Sequence, residues 1–268
     1  MRTRSGRQFG VGVVTAVENE ETPHPTLKGV RCKNDFVCIE CGAPATQLFH
    51  KYSESVLALE KCTNCGELVD KYVEYDAVLV LLDLLLQKLS AYRHVLRNIK
   101  LANRYYYRLA SICLLCNAYH KWVHRRTSED ATTSEQLQYF DLEWRFYESV
   151  LHSLVEFCVF SVVLLLVVSL FAVDRRNGVS ITALRSRVPL QALLLGLYGY
   201  VWAVFAIIWQ LHNTLSYVVL TRLFIFVSNV QIVRVAWSLK AWPSLLSVAC
   251  ATAIQTTFST VGSFYLVG

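Results

Sequence analysis

Two stretches of this chain carry no charged side chain over more than the width of a bilayer: Leu190 to Leu211 is 22 residues long and Ala241 to Gly268 is 28. At 1.5 Å per residue each can cross a hydrocarbon core of about 30 Å as a helix. Phe157 to Val173 adds an uncharged apolar run of 17, which reaches span length once Val150 to Glu156 is included. Leu215 to Trp237 is equally apolar but holds Arg222 and Arg234. It can span only if Arg222 is paired or faces the bundle interior. The expected fold is therefore mainly α, a multi-pass helical membrane protein with spans at about 150–173, 190–211, 215–237 and 243–266.

Composition agrees. Apolar residues make up 54% and charged residues 17%, well below the quarter or so that clothes a soluble surface. The charge is unevenly placed. Residues 1–76 hold 9 Lys/Arg against 11 Asp/Glu, and residues 77–268 hold 17 against 9. The cysteine-bearing front is thus not a basic nucleic-acid module, and no nucleic-acid partner is expected. Residues 1–36 are polar, carry Pro23 and Pro25, lack the apolar core of a secretory signal, and read as disordered. A cytosolic, reducing environment is expected for the front of the chain, which disfavours disulfides among the nine cysteines.

Residues 37–76 read as a four-cysteine zinc ribbon. Cys38-Ile39-Glu40-Cys41-Gly42 is followed by Cys62-Thr63-Asn64-Cys65-Gly66. Four thiolates suit the soft, tetrahedral preference of zinc, and a two-residue gap lets both sulfurs of a pair reach one ion. The glycine after each pair permits positive φ, so backbone N–H groups can turn toward sulfur. Ser55 to Glu60 has strand character and suits the ribbon hairpin. A domain of about 40 residues has too small a core to fold unaided, so the metal would supply stability. Cys113-Leu114-Leu115-Cys116 lacks the following glycine and reads as buried helical cysteines, and His120 and His124 read as interfacial side chains.

Residues 77–126 are expected to form basic amphipathic or interfacial helices. From Leu84 to Ser128 there is no acidic residue and there are nine Lys/Arg. Arg93, Arg97, Lys100, Arg104 and Arg108 follow at steps of 4, 3, 4 and 4, which places them on one face of a helix. Tyr92 and Tyr105 stand among further aromatic residues, and such rings favour the headgroup layer. Anionic lipid headgroups are the expected partner of this stripe. Residues 127–148 read as a linker or exposed helix. Asp70 to Asp76 sit at the ribbon–helix junction, where a structural role and a lipid or partner contact both remain open. The loop from Asp174 to Pro189 carries four arginines. The preferred reading has no crossing before residue 150, which puts that loop on the face opposite the ribbon.

Between Cys38 and Asn98 the chain resembles the Arv family, named for ACAT-related protein required for viability. The resemblance rests on the two CxxC pairs, then Val69-Asp70-Lys71-Tyr72-Val73-Glu74-Tyr75-Asp76, then Asp83, Lys88 and Ala91-Tyr92-Arg93-His94-Val95-Leu96-Arg97-Asn98. Weaker likeness runs through Glu143-Trp144-Arg145-Phe146-Tyr147 and Ser228-Asn229-Val230-Gln231. It implies an endoplasmic reticulum membrane protein of sterol homeostasis, acting in sterol distribution to the plasma membrane, with links to sphingolipid balance and glycosylphosphatidylinositol-anchor synthesis. Sterol and other endoplasmic reticulum membrane proteins are the implied partners. The alternative role is a membrane scaffold or accessory subunit of a lipid-modifying complex in the anchor pathway.

No catalytic reaction is implied and none is expected. A metal closed by four cysteines leaves no open position for chemistry, seven scattered histidines do not form the boxes of an iron-dependent lipid hydroxylase, and no glycine-rich phosphate cradle is present. A ubiquitin-ligase RING would need eight ligands.

Overall fold

The structure, a computed structural model, describes residues 36–53, 56–99, 101–129, 139–174, 187–209 and 214–267. The expected disorder of the N-terminus lies outside these residues.

The ribbon consists of two short antiparallel pairs. β1 (Phe36–Val37) pairs with β2 (Pro44–Ala45), and β3 (Phe49–Ser53) pairs with β4 (Val56–Leu59). Its small apolar centre is Cys38, Cys62 and Val69, with Ala43, Ala45 and Leu48 against it. A 3-10 turn over Lys71–Glu74 leads out, with Asp70 as its cap. The hairpin that follows is built from α1 (Ala77–Leu85), α2 (Leu89–Arg93) and a π-helical turn, His94–Asn98. Gln87 joins α1 to α2 in a left-handed conformation, φ 60°. α1 buries Val80 and Leu84 and exposes Val78, Leu79, Leu81 and Leu82, and its cap Leu86 is exposed as well. That much bare aliphatic surface on one helix fits a lipid setting.

The described residues beyond the hairpin form a helical bundle: α3 (Asn103–Glu129), α4 (Tyr139–Asp174), α5 (Arg187–Leu195) continued through a 3-10 segment (Gly196–Tyr200) into α6 (Val201–Ile208), α7 (Leu215–Trp237) and α8 (Ala241–Val267). Four segments are long and apolar enough to cross a membrane: Glu143–Phe171, Val188–Ile208, Leu215–Trp237 and Ala241–Val261. Leu151, Val162, Leu166 and Leu170 on α4, Val219, Leu220 and Leu223 on α7, and Ile254, Phe258 and Val261 on α8 point outward. A bundle apolar on its outside as well as its inside is one solvated by lipid. Inside it, backbones approach closely at small residues. A Cβ at Gly196 would lie 2.5 Å from Asn229 Oδ1, and one at Gly199 would lie 2.7 Å from Ile225 Cγ1. Glycine is what lets the 3-10 segment between α5 and α6 lie against α7.

Several expectations need correction. The five cations do not share one helix face. The π-helical turn and extended backbone at Ile99 (φ −84°, ψ 123°) separate Arg93 and Arg97 from Arg104 and Arg108, and Lys100 lies outside the described residues. Tyr92, expected in the headgroup layer, is fully buried. Of 127–148, read as a linker or exposed helix, the described residues are helical: α3 runs to Glu129 and α4 starts at Tyr139. Arg222 neither pairs within the described residues nor faces inward; it is exposed. It lies two turns from the start of α7, where a long side chain can reach an interface.

α3 is also more than an interfacial helix. Its 27 residues give about 40 Å of length, and it runs antiparallel to α4. Lys121 and His152 close on Glu156, while four residues further along α3 Arg125 meets Glu148 at 3.7 Å. Gln191 on α5 donates to Asn103 Oδ1 at the start of α3, 2.9 Å. The starts of α3, α5 and α8 and the ends of α4 and α7 therefore share the ribbon end of the bundle. α3 thus runs along α4 within the bundle, while the four segments apolar enough to cross a membrane all begin at or after Glu143.

Candidate metal centre and its clamp onto the bundle

Each cysteine pair sits on a tight turn. In the first, Gly42 N–H donates to Cys38 O at 3.0 Å and Cys38 N–H to Ala43 O at 2.9 Å; in the second, Gly66 N–H donates to Cys62 O at 2.9 Å and Cys62 N–H to Glu67 O at 2.7 Å. Gly42 and Gly66 hold φ of 79° and 78°, the left-handed conformation that the motif required. Ala43 N–H reaches Cys41 Sγ at 3.4 Å, and that bond holds the Cys41 thiol down to about 6. Burial pushes the Cys38 thiol up.

The two turns face each other. Cys38 Sγ lies 3.7 Å from Cys65 Sγ and Cys41 Sγ lies 3.6 Å from Cys62 Sγ, and all four sulfurs lie within 4.8 Å of one another. A tetrahedral ion with metal–sulfur bonds of about 2.3 Å would hold its ligands about 3.8 Å apart. A disulfide needs about 2.05 Å. The donor set and spacing fit a four-thiolate metal centre. Among the described residues this is the one group of three or more cysteine, histidine or carboxylate side chains so gathered. Cys113, by contrast, is fully buried on α3 and stands apart from this cluster.

A second feature, invisible in the spacing, ties the ribbon to the membrane half. Asp70 is fully buried. Its Oδ1 accepts from Tyr72 N–H at 3.0 Å, and its Oδ2 lies 2.7 Å from His94 Nδ1 and accepts from Asn98 Nδ2 at 2.6 Å. Asn98 also pairs with the backbone of Val37 in both directions at 3.0 Å, as a neighbouring strand would. Arg93 Nη1 donates to Ile39 O at 2.8 Å and Glu40 O at 2.5 Å, carbonyls of the first cysteine turn. Tyr72 OH reaches down to Asp83 Oδ2 at 2.7 Å, and Lys88 meets Asp83 Oδ1 at 2.7 Å. Lys88 and then Tyr72 hold the Asp83 carboxyl below its ordinary range. At this junction the structural role of Asp70 is the one realised.

The hairpin is in turn fixed to the bundle. Arg97 Nη2 donates to Val235 O at 3.1 Å and Ala236 O at 2.8 Å, terminal carbonyls of α7 that no turn of helix follows. Those groups and the helix dipole both favour a cation there. Gln87 Nε2 donates to Ser228 Oγ at 2.6 Å, and Tyr92 OH lies 2.5 Å from Tyr198 OH, which lies 2.9 Å from Ser228 Oγ. Arg93, Arg97 and Tyr92 are therefore internal ties, while Arg104, Arg108 and Tyr105 remain on the surface. His94, Asn98, Gln87, Tyr198, Ser228 and Arg234 were not foreseen as site residues. For His94 and Asn98 the four-residue spacing on one helical face was the available signal.

The Arv1-like family model matches residues 37–233. Among curated relatives, human Protein ARV1 is 31% identical over 257 residues, covering 94% of this chain and 89% of its own length. The mouse Protein ARV1 is 33% identical over 226 residues, covering 82% and 81%. Protein ARV1 of Saccharomyces cerevisiae is 48% identical over 63 residues, 24% of this chain and 20% of its own. No solved structure matches. A match across the ribbon, the clamp and most of the bundle places this chain in the Arv1-like family.

Proposed function

We propose that this chain is a non-enzymatic mediator of sterol homeostasis in the endoplasmic reticulum membrane, acting in sterol distribution toward the plasma membrane. Its links to sphingolipid metabolism and anchor synthesis follow from altered lipid supply. Family membership supports the sterol role. The observation that carries the mechanism is the clamp of a metal ribbon onto a hairpin whose α1 face is bare aliphatic surface. Zinc is the metal proposed, as a structural ion, because four thiolates complete its coordination and leave no site for substrate. Its work is to hold Ile39 and Glu40 carbonyls against Arg93, so that α1 lies at a fixed height on the bundle. The exposed cations Arg104 and Arg108, with Tyr105, meet anionic headgroups on the ribbon side, which is the cytosolic side.

The test is sterol partition between endoplasmic reticulum and plasma membrane in cells lacking the native protein. Cys62→Ala at matched abundance should fail to restore it, as should Asn98→Ala, which breaks the clamp and spares the metal. Full rescue by either variant would show that the ribbon's grip on the hairpin is dispensable.

A further inference from the structure

Where the ribbon meets the end of α7 there is a cleft of about 200 Å³, lined by Cys41, Gly42, Arg93, Arg97, Arg234 and Ser238 with Leu89, Val235 and Leu239 as apolar walls. That is far more than the roughly 10–15 Å³ a single water needs. Three guanidinium groups from separate elements converge on it and no carboxylate lines it. Each has donors left over. Arg93 and Arg97 spend part of their forks on carbonyls. Arg234 Nη1 donates to Gln231 Oε1 at 3.0 Å, but its buried Nε finds no partner among the described residues. Burial, then the like charge of Arg234, lowers the Arg93 guanidinium from its ordinary range. Four thiolates around a divalent ion would leave two negative charges beside Cys41, and these offset Arg93 in part. The α7 carbonyls offset Arg97 in part, and no carboxylate in the lining neutralises Arg97 or Arg234.

Like charges gathered in a cleft, with donors unspent, are stable when an anion bridges them, and the planar fork of arginine matches phosphate oxygens in pairs. We propose that this cleft binds one phosphate group through Arg234, Arg97 and the free edge of Arg93. Its depth suits the phosphate of a membrane lipid. Arg234 stands one turn before the end of a candidate span, and the apolar walls of Leu89, Val235 and Leu239 can follow a glycerol backbone toward the acyl region. The site is independent of the sterol reading, because its binding is measured with no sterol present.

The experiment uses the full chain, loaded with zinc, in phosphatidylcholine nanodiscs. One arm titrates phosphatidic acid in the disc, the other inorganic phosphate in solution, each followed by equilibrium binding. Arg234→Gln should weaken the bound probe at least tenfold, whereas Lys61→Gln, which removes an exposed ribbon cation outside the cleft, should change it less than twofold. Ser238→Asp places a carboxylate in the cleft at a left-handed position that aspartate tolerates. It should abolish binding while leaving the protein at least as resistant to heat, and so serves even if Arg234→Gln folds poorly. Binding of phosphatidic acid alone assigns the site to a headgroup, and competition by inorganic phosphate at similar concentration assigns it to a soluble phosphate. Equal losses in Arg234→Gln and Lys61→Gln would mean diffuse surface attraction and would overturn the proposal. So would undiminished binding in Ser238→Asp.

Discussion

Replacing Asp70 by alanine should unclasp the ribbon without touching a cysteine. The carboxylate is fully buried and serves three groups: Tyr72 N–H, Asn98 Nδ2 and His94 Nδ1. Asn98 keeps a bond to Val37 O in the variant, but Tyr72 N–H and His94 Nδ1 lose theirs in a place water does not reach. Each buried group left unpaired costs about 1–3 kcal/mol, and breaking a buried charged contact falls at the upper end. A loss of about 3–5 kcal/mol is therefore expected for local opening of the junction. At about 1.4 kcal/mol per decade, hydrogen exchange at Val37 and Tyr72 should accelerate by roughly two to three orders of magnitude. Lys71→Gln is the matched control. It removes an ion pair with Glu40 at 3.3 Å whose partners are both 40% or more exposed, and exposed pairs contribute about 0–1 kcal/mol. Its exchange should rise less than about fivefold. Acceleration below tenfold in Asp70→Ala, or equal effects in the two variants, would refute the claim that the buried carboxylate holds ribbon to hairpin.

The two ribbon glycines should differ in cost. Gly42→Ala must meet both the left-handed backbone, about 1–2 kcal/mol, and Arg93 Nη2 at 3.3 Å, whereas nothing stands within 4 Å of a Cβ at Gly66. Competition with a zinc chelator should show the larger loss for Gly42→Ala, and the reverse order would contradict the packing. In the bundle, Gly196→Ala should destabilise by about 1–3 kcal/mol through overpacking, and Asn229→Ala added to it should recover part of that loss in thermal unfolding; simple additivity would show that the two positions do not touch. Single cysteines at Ser134 and Ser180 should react with an impermeant maleimide from opposite faces of the membrane, with Ser180→Cys on the ribbon's face. Labelling of both from one face would show that α3 does not cross the membrane.

The metal centre was legible in the sequence because everything it needs is local: two residues between sulfurs, then a glycine that can take positive φ. The spans were legible because lipid demands uncharged length, and length survives without knowing any partner. The basic stripe misled for the opposite reason. Its spacing of three and four residues belongs to a helix, but nothing in Arg93 or Arg97 announces a carbonyl partner in another segment. The backbone leaves the helix at Ile99, between two cations that the period would have joined. The packing of α3 along α4 was not legible because Lys121 looks like a surface residue in any tally of charge. Its neutralising partner Glu156 lies 35 residues away on α4. Buried ion pairs of this kind are invisible to composition, since both members look like surface residues until the helices are aligned.

The separation in sequence between Arg97 and its carbonyls bears on how the protein is made. Arg97 and Val235 are 138 residues apart, and Gln87 and Ser228 are 141 apart. At roughly 5–20 residues per second, the ribosome takes roughly 7–28 s to supply α7 after Arg97 has emerged. Throughout that interval the hairpin's guanidinium and amide have no internal partner, and headgroups or a waiting chaperone must occupy them. The hairpin thus meets its α7 partners long after it is synthesised. A chain released before α7 would present α1 and an unmet Arg97 together, the kind of half-finished surface that quality control in a membrane can recognise and remove.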